Sequence, residues 1–529
     1  MPSGGILQLS SSHANTDEVD DADARRKDYL HAQPKLTYFK TVYRGFRNFS
    51  METIPVQFDT KPQVSFDKTT TFVSDMDNIG HLMRNVYLVV DLPVLKPTRV
   101  ERQYEYARNL ALNMIEYVEL RVGGQVIQEF SSDWIYIYYK RYMTYEKYLE
   151  AIRNVEPASR RLSENSSGLQ STERLYVFLP FYFSKSVSFT EDAPSTLLPF
   201  LNIQYQSIYL TVRIRPVKAW LTLLETNPQS PYVGKRVAPY VNDDSAVYDT
   251  LIQRTSLFLE AQCIYLDTKE LAILRTKPIL DYVVEYPFET TVRGVHRSPV
   301  RVSLQRRHAL KEIWIVGRRD DVPSRNTWNV YGTLEDDARG DDVHASYGRV
   351  ESEYTPSGFL REYWMALHTT FRDAQTFQRE IVDRVDMYLN TDNNTGQYLF
   401  RDMPARRLRY VAGITSDEEG HTSYNRPVGD VETSADYLYC KSFSAFPTSA
   451  EPSGFCRVDG LHPAITIHLT QPPPMKPLPP LGIYNPHPAE FKPYDSTNAS
   501  LFAYQYEIKV IFVHLLLIRI KGGILDVAT

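Results

Sequence analysis

The residues in this chain whose types could do chemistry are few, and each group fits a plainer role better. Acidic pairs stand at Asp320-Asp321, Asp336-Asp337 and Asp341-Asp342. Carboxylate oxygens bind hard cations, but a calcium loop needs ligands at alternating positions around a glycine, and these pairs lack that spacing. A solvated loop accounts for them. The twelve histidines are scattered, with no HExxH and no paired metal-ligand spacing. Gly234-Lys235 is followed by Arg236, and Gln229 stands where a phosphate-cradling loop needs its first glycine. No GxSxG nucleophile elbow occurs. Arg406, Arg407 and Arg409 form the densest basic cluster, which on an acidic chain reads as a solvated or ion-paired face. No catalytic, cofactor-binding or metal-ligating residue is therefore assigned, and an enzyme is not expected.

Composition narrows the class further. At 529 residues the chain exceeds one ordinary core, so two domains are expected, with no need of a disulfide staple. The three cysteines, Cys263, Cys440 and Cys456, form no CxxC pair and read as free, mostly buried thiols in a reducing compartment. A formal net charge of −5 argues against direct nucleic-acid binding, which needs cations to neutralise phosphates. The 37 tyrosines suit both strands and interfaces, having apolar area with a polar tip. No secretory leader is read at the start, so the sequons at Asn48, Asn165, Asn393 and Asn498 are taken as chance matches. The longest apolar run, Val510 to Ile518, is about half of a membrane span and reads as a core strand.

The elements behind these residues are mostly strands. Residues 1–30 combine an apolar tip, Gly4 to Leu9, with an acidic tether, and read as an arm that docks elsewhere. Lys35 to Phe66 carries bulk on both faces and is expected to be a strand buried on both sides or wedged against a neighbouring molecule. Strands follow at Val86–Leu92, at Ile115–Val122 turning through Gly123-Gly124 into Gln125–Phe130, at Leu175–Phe183 and at Asn202–Ile214. One helix is expected between Asp133 and Val155, capped by Ser132 or Asp133. Residues 218–250 read as a long loop. A strand at Ser256–Leu266 leads to a short helix capped by Asp267-Thr268, which marks a domain boundary. The strand pattern then restarts at Ile279 and recurs at Leu310–Val316, Arg384–Leu389, Tyr437–Phe443, Ala464–Leu469 and Tyr506–Ile520, with a stiff proline-rich loop at Pro472–Pro488. The chain is thus all-β, in two successive halves.

Several of these segments resemble one family in order. They are Tyr38 to Arg44 with Asn48-Phe49 and Met51-Glu52; Val118-Glu119-Leu120 with Gly123-Gly124-Gln125; Trp134; Ala193 to Leu210; Ile264 to Thr268; His308 to Val316; Tyr439 to Gly454; and Gly522-Gly523. In these the chain resembles the double jelly-roll major capsid proteins of nucleocytoplasmic large DNA viruses. The resemblance implies an arm at 1–30 and two eight-stranded jelly rolls at 31–270 and 271–529, with short helices and long loops. It implies a homotrimeric, pseudo-hexameric capsomer that tiles an icosahedral shell assembled in the host cytoplasm. The partners it implies are neighbouring capsomers, minor capsid proteins and, at the capsid's inner face, an underlying membrane. A minor double jelly-roll paralogue and a glycan-binding attachment protein are the alternatives. The acidic tether at Asn15–Asp28, the 218–250 segment, the proline-rich loop and Gly45-Phe46-Arg47 depart from the family pattern.

Overall fold

The structure, a computed structural model, describes residues 49–528 with interruptions, the longest at 158–172, 225–235, 332–380, 413–436 and 471–504. The 1–30 arm, Lys35–Asn48, Gly234-Lys235, the acidic pairs at 336–337 and 341–342, the proline-rich loop and all four sequon asparagines lie outside the described residues.

Eight principal strands form the first half. They are β1 (Phe49–Val56), β2 (Thr70–Asp75), β3 (Leu82–Leu92), β4 (Ile115–Val122), β5 (Gln125–Ser131), β6 (Glu173–Leu179), β7 (Ile208–Ile214) and β8 (Ser256–Leu266). They make two antiparallel sheets, ordered β1-β8-β3-β6 and β2-β7-β4-β5. The second half has β9 (Ile279–Val295), β10 (Val300–Ser303), β11 (Ala309–Arg319), β12 (Val382–Thr391), β13 (Gly396–Pro404), β14 (Leu438–Ser442), β15 (Leu461–Leu469) and β16 (Tyr506–Lys521). Their orders are β9-β16-β11-β14 and β10-β15-β12-β13, the first-half orders with every label raised by eight. A last strand, β17 (Ile524–Ala528), folds back on β16. Each half is a jelly roll of two facing four-stranded sheets. Every strand pairing among the described residues stays within one half.

Irregularities repeat too. In β3 the pairing with β8 shifts around Arg84, and in β11 the pairing with β16 shifts around Lys311. Met83, just before the first shift, bridges to Leu198; Leu310, just before the second, bridges to Cys456. The β4–β7 pairing shifts between Ile115 and Tyr117, and the β12–β15 pairing between Val382 and Arg384. Bulges re-aim side chains at fixed points of a sheet, so these shared positions put the two rolls in residue-by-residue register.

The hairpin expected at Gly123-Gly124 is present, with φ of +56° and +86°, left-handed values that glycine adopts without Cβ strain. The helical segment after it is two helices, α1 (Ser132–Tyr142) and α2 (Tyr145–Val155). The first is preceded by Ser131 in extended conformation, and no side chain caps it. Ser132 and Asp133 lie inside its first turn instead, where the Ser132 hydroxyl accepts from Arg215 and the Asp133 carboxylate from Arg318 and Lys509. The 218–250 loop is also corrected: it holds short strands at Leu221–Leu224 and Arg236–Val237 and the start of α3 (Ser245–Arg254). The helix signal was present, since Asp244 accepts from the Val247 amide and Val247, Tyr248 and Leu251 bury one face. Leu175–Phe183 breaks at Pro180, with β6 on one side and a 3-10 turn on the other. The boundary helix is α4 (Thr268–Thr276), with the Asp267 carboxylate accepting from Thr268.

The described part of the opening stretch is not buried on both sides. β1 is an edge strand, with Phe49 57% and Met51 50% exposed. The strands that are covered on both faces are β11 and most of β16. Ile511 and Phe512, adjacent and facing opposite ways, are both fully buried, each worth about 1.5–3 kcal/mol. Trp314, Val316, Cys440, Ile511 and Val513 pack into the first roll's core, while Ile313, Ile315, Val510 and Phe512 pack into the second roll's own core. Cys263 and Cys440 are buried and Cys456 half-buried, all as free thiols.

Candidate functional site: the buried seam between the rolls

Among the described residues, charged groups buried at large sequence separation gather where the two rolls meet. The face of β9-β16-β11-β14 that points away from its own roll is covered by the first roll, chiefly by β5 and α1. Charges set into these apolar strands line the contact.

Asp133, in the first turn of α1, is the hub. Arg318 of β11 donates to it at 3.2 Å, Lys509 of β16 at 2.5 Å and the Tyr331 hydroxyl at 3.0 Å. Arg318 also donates to Glu507 at 2.6 Å, and Lys509 pairs with Glu289 of β9 at 3.1 Å. The Ser131 hydroxyl donates to Glu289 at 2.7 Å, which is why it does not cap α1. Arg215 donates to the carbonyls of Asn113 and Ile115 and to the Ser132 hydroxyl, and its guanidinium lies 4.1 Å from the Trp328 ring centre. Burial would raise the Asp133 pKa; Arg318 and then Lys509 more than reverse this and hold it well below the carboxylate range. Burial pulls Arg215 down to about 10, with Arg318 adding to the effect and Asp133 opposing it.

A second group lies further along β9. Lys311 and Glu285 form a buried ion pair at 2.5 Å. Gln128 of β5 donates to the Glu285 carbonyl at 3.1 Å and accepts from the Tyr182 amide at 2.9 Å. Glu312 accepts from the Tyr142 hydroxyl at 2.6 Å and from the Trp314 indole at 3.2 Å. Burial first, and Glu312 next, push the Tyr142 phenol well above its ordinary pKa. At the third group the β16–β17 turn meets the 204–206 segment of the first roll. Gly523 C=O accepts from the Gln204 and Tyr205 amides, and Gln206 exchanges hydrogen bonds with the Leu525 backbone at 2.6 and 3.2 Å. Gly523 has φ +83°, and a Cβ there would stand 2.7 Å from the Tyr205 ring. From Glu289 to Ile279, which pairs with Lys521 at the β16–β17 turn, these groups run over roughly 34 Å of strand, fixing the rolls against rotation as well as separation.

The seam assigns no reaction. Among the described residues no group of three or more His, Cys, Asp or Glu could hold a metal ion. Arg406 and Arg407 are exposed on a short helix, α5 (Ala405–Ala412), and Arg409 lies over the Tyr437 ring at 4.9 Å. Asp320 is a loop residue whose carboxylate accepts from the Gln505 amide at 3.0 Å. Sequence reading missed the seam residues, although a signal existed: Glu285, Lys311, Glu312 and Lys509 each interrupt an apolar strand run, where an inward charge needs a buried partner.

Residues 37–250 match the family model described as the major capsid protein N-terminus. A major capsid protein of Phaeocystis pouchetii virus is 26% identical over 339 residues, covering 59% of this chain and 58% of that protein. A major capsid protein of Paramecium bursaria Chlorella virus 1 is 30% identical over 185 residues, 34% of this chain and 36% of that one. The matches thus span little more than half, or less, of these relatives. Among solved structures, PBCV-1 VP54 fitted into a reconstruction of the virophage Sputnik superposes with a TM-score of 0.58 at 17% identity, covering 93% of this chain and 100% of that one. The Faustovirus major capsid protein gives 0.54 at 11% identity, with 95% and 94% covered.

Proposed function

We propose that this chain, a member of the double jelly-roll major capsid protein family, is the building block of an icosahedral virus shell. In this reading 1–30 is an arm, 31–270 the first roll and 271–529 the second. Three copies close into a capsomer of six rolls, which meets neighbouring capsomers and minor capsid proteins. Assembly takes place in the host cytoplasm, with the inner face turned towards an underlying membrane and no direct contact with nucleic acid. The observation that carries this reading is the repeated strand order joined over a buried, charged seam. A block of two like rolls held rigidly side by side is the unit that a threefold operation turns into a near-hexagon, a shape that tiles a flat face.

Native mass spectrometry of the purified protein at micromolar concentration tests it. A species of three times the 61.1 kDa chain mass is expected; a monodisperse monomer overturns the reading. Removing residues 1–30 should leave that trimer intact and impair shell assembly.

A further inference from the structure

The repeat makes the covered face of the second roll a template for a free face of the first. The bulges pair Arg84 with Lys311, so along the outward-facing side of the two strands Asn85, Tyr87, Val89 and Asp91 of β3 stand where Glu312, Trp314, Val316 and Arg318 stand in β11. The helices match as well. Tyr117 pairs with Ser131, and Arg384, at the equivalent bulge, pairs with Pro404. One residue past each strand end a helix begins, which makes Asp133 of α1 the counterpart of Arg406 of α5.

In the seam, Arg318 of the second roll meets Asp133 of the first. At the equivalent places on the free surfaces the charges are exchanged: Asp91 stands for Arg318, and Arg406 for Asp133. Asp91 is partly exposed and pairs with Arg174 at 2.7 Å, while Arg406 is exposed. Further along β3, between this sheet face and α2, lies a cavity of about 340 Å³, lined among others by Asn85, Tyr87, Phe178, Tyr139 and Lys147. Asn85 is 7% exposed, and its Oδ1 has no hydrogen-bond partner. Its counterpart Glu312 accepts the Tyr142 hydroxyl inside the seam. The outward face therefore keeps the seam's acceptor position at Asn85 without a donor, and at Asp91 a partly exposed carboxylate where the seam has a buried cation.

We infer that the outward face of β1-β8-β3-β6 around Asp91 and Asn85 receives the second roll of another copy of this chain, with that copy's Arg406 against Asp91. This rests on the trimer proposed above and specifies its contact. Inside each copy the first roll's α1 covers the second roll's sheet. Between copies the second roll's α5 covers the next first roll's sheet. Alternating the two closes a ring of six rolls from three chains.

A charge exchange tests it by native mass spectrometry. Asp91→Arg and Arg406→Asp, made singly, each place like charges together and should lower the trimer fraction by about tenfold or more, since like-charge juxtaposition at an interface costs several kcal/mol. The double variant Asp91→Arg/Arg406→Asp restores the attraction and should recover the trimer, which also shows that the chain still folds. A cysteine pair, Asp91→Cys with Arg406→Cys, should give covalent dimers and trimers on a non-reducing gel that neither single cysteine gives. If the wild type is trimeric and both single reversals remain so, or the double variant fails to recover, this contact is overturned while the capsomer reading stands. A monomeric wild type overturns the capsomer reading itself.

Discussion

Sheets β9-β16-β11-β14 and β1-β8-β3-β6 occupy the same place in two copies of one topology, yet their outward faces have opposite fates. The first is covered by the other roll and carries Arg318, Glu312, Lys311 and Lys509 as buried, partnered charges. The second is open beside β1 and carries Tyr87, Asp91 and Glu260 as partly exposed groups. Strand order sets which residues point outward. It does not set what covers them. A buried charge is tolerated only where a partner is built in, so the density of paired charges marks which of two like faces is internal to the chain.

Removing the hub should break this contrast most. Asp133→Ala leaves Arg318 and Lys509 buried without their shared carboxylate and should cost about 5 kcal/mol, the upper end for a broken buried pair, read as the urea midpoint. Lys311→Met removes the buried cation facing Glu285 and should cost about 3 kcal/mol, whereas Lys311→Met with Glu285→Leu should recover most of it, since an apolar pair replaces a buried ion pair at little cost. At the far group, Gly523→Val combines left-handed backbone with a clash on Tyr205 and should cost about 1–3 kcal/mol, with faster hydrogen exchange confined to 204–206 and 524–528. Met51→Lys on the open β1 edge should shift folding stability by no more than about 0.5 kcal/mol. A loss comparable to the seam variants would show that β1 is not the free edge described.

The seam should also respond to pH in one direction. Asp133 has a folded pKa depressed below its unfolded value of about 3.9. Its contribution is fully present above that value and is lost as pH falls through the folded pKa. Stability measured by urea unfolding should hold between pH 5 and 7 and drop below about pH 4. In Asp133→Asn that acid-side drop should be shallower, and an unchanged slope would mean that other carboxylates carry it.

Much of the architecture was legible in the sequence because strands, turns and the α4 boundary announce themselves locally. Gly123-Gly124, Asp267 before α4 and the apolar runs of β11 and β16 each specify their element through backbone preference and period-two burial. Where reading failed, a local signal was read without its tertiary partner. Asp133 looks like a helix cap by position, but Arg318 and Lys509, 185 and 376 residues away, claim its carboxylate. Ser131 turns to Glu289 for the same reason. The greasy opening stretch and β16 look alike as strings of apolar residues, yet β1 is an edge and β16 is enclosed.

The sequence by itself determined an all-β chain in two halves, because hydrophobic period and turn chemistry act over a few residues. Only the tertiary structure decided that the halves share one strand order and one set of bulges, and that four scattered charges in apolar runs belong to a single seam. Pairing between residues hundreds of positions apart is a property of packing, and no local preference encodes it.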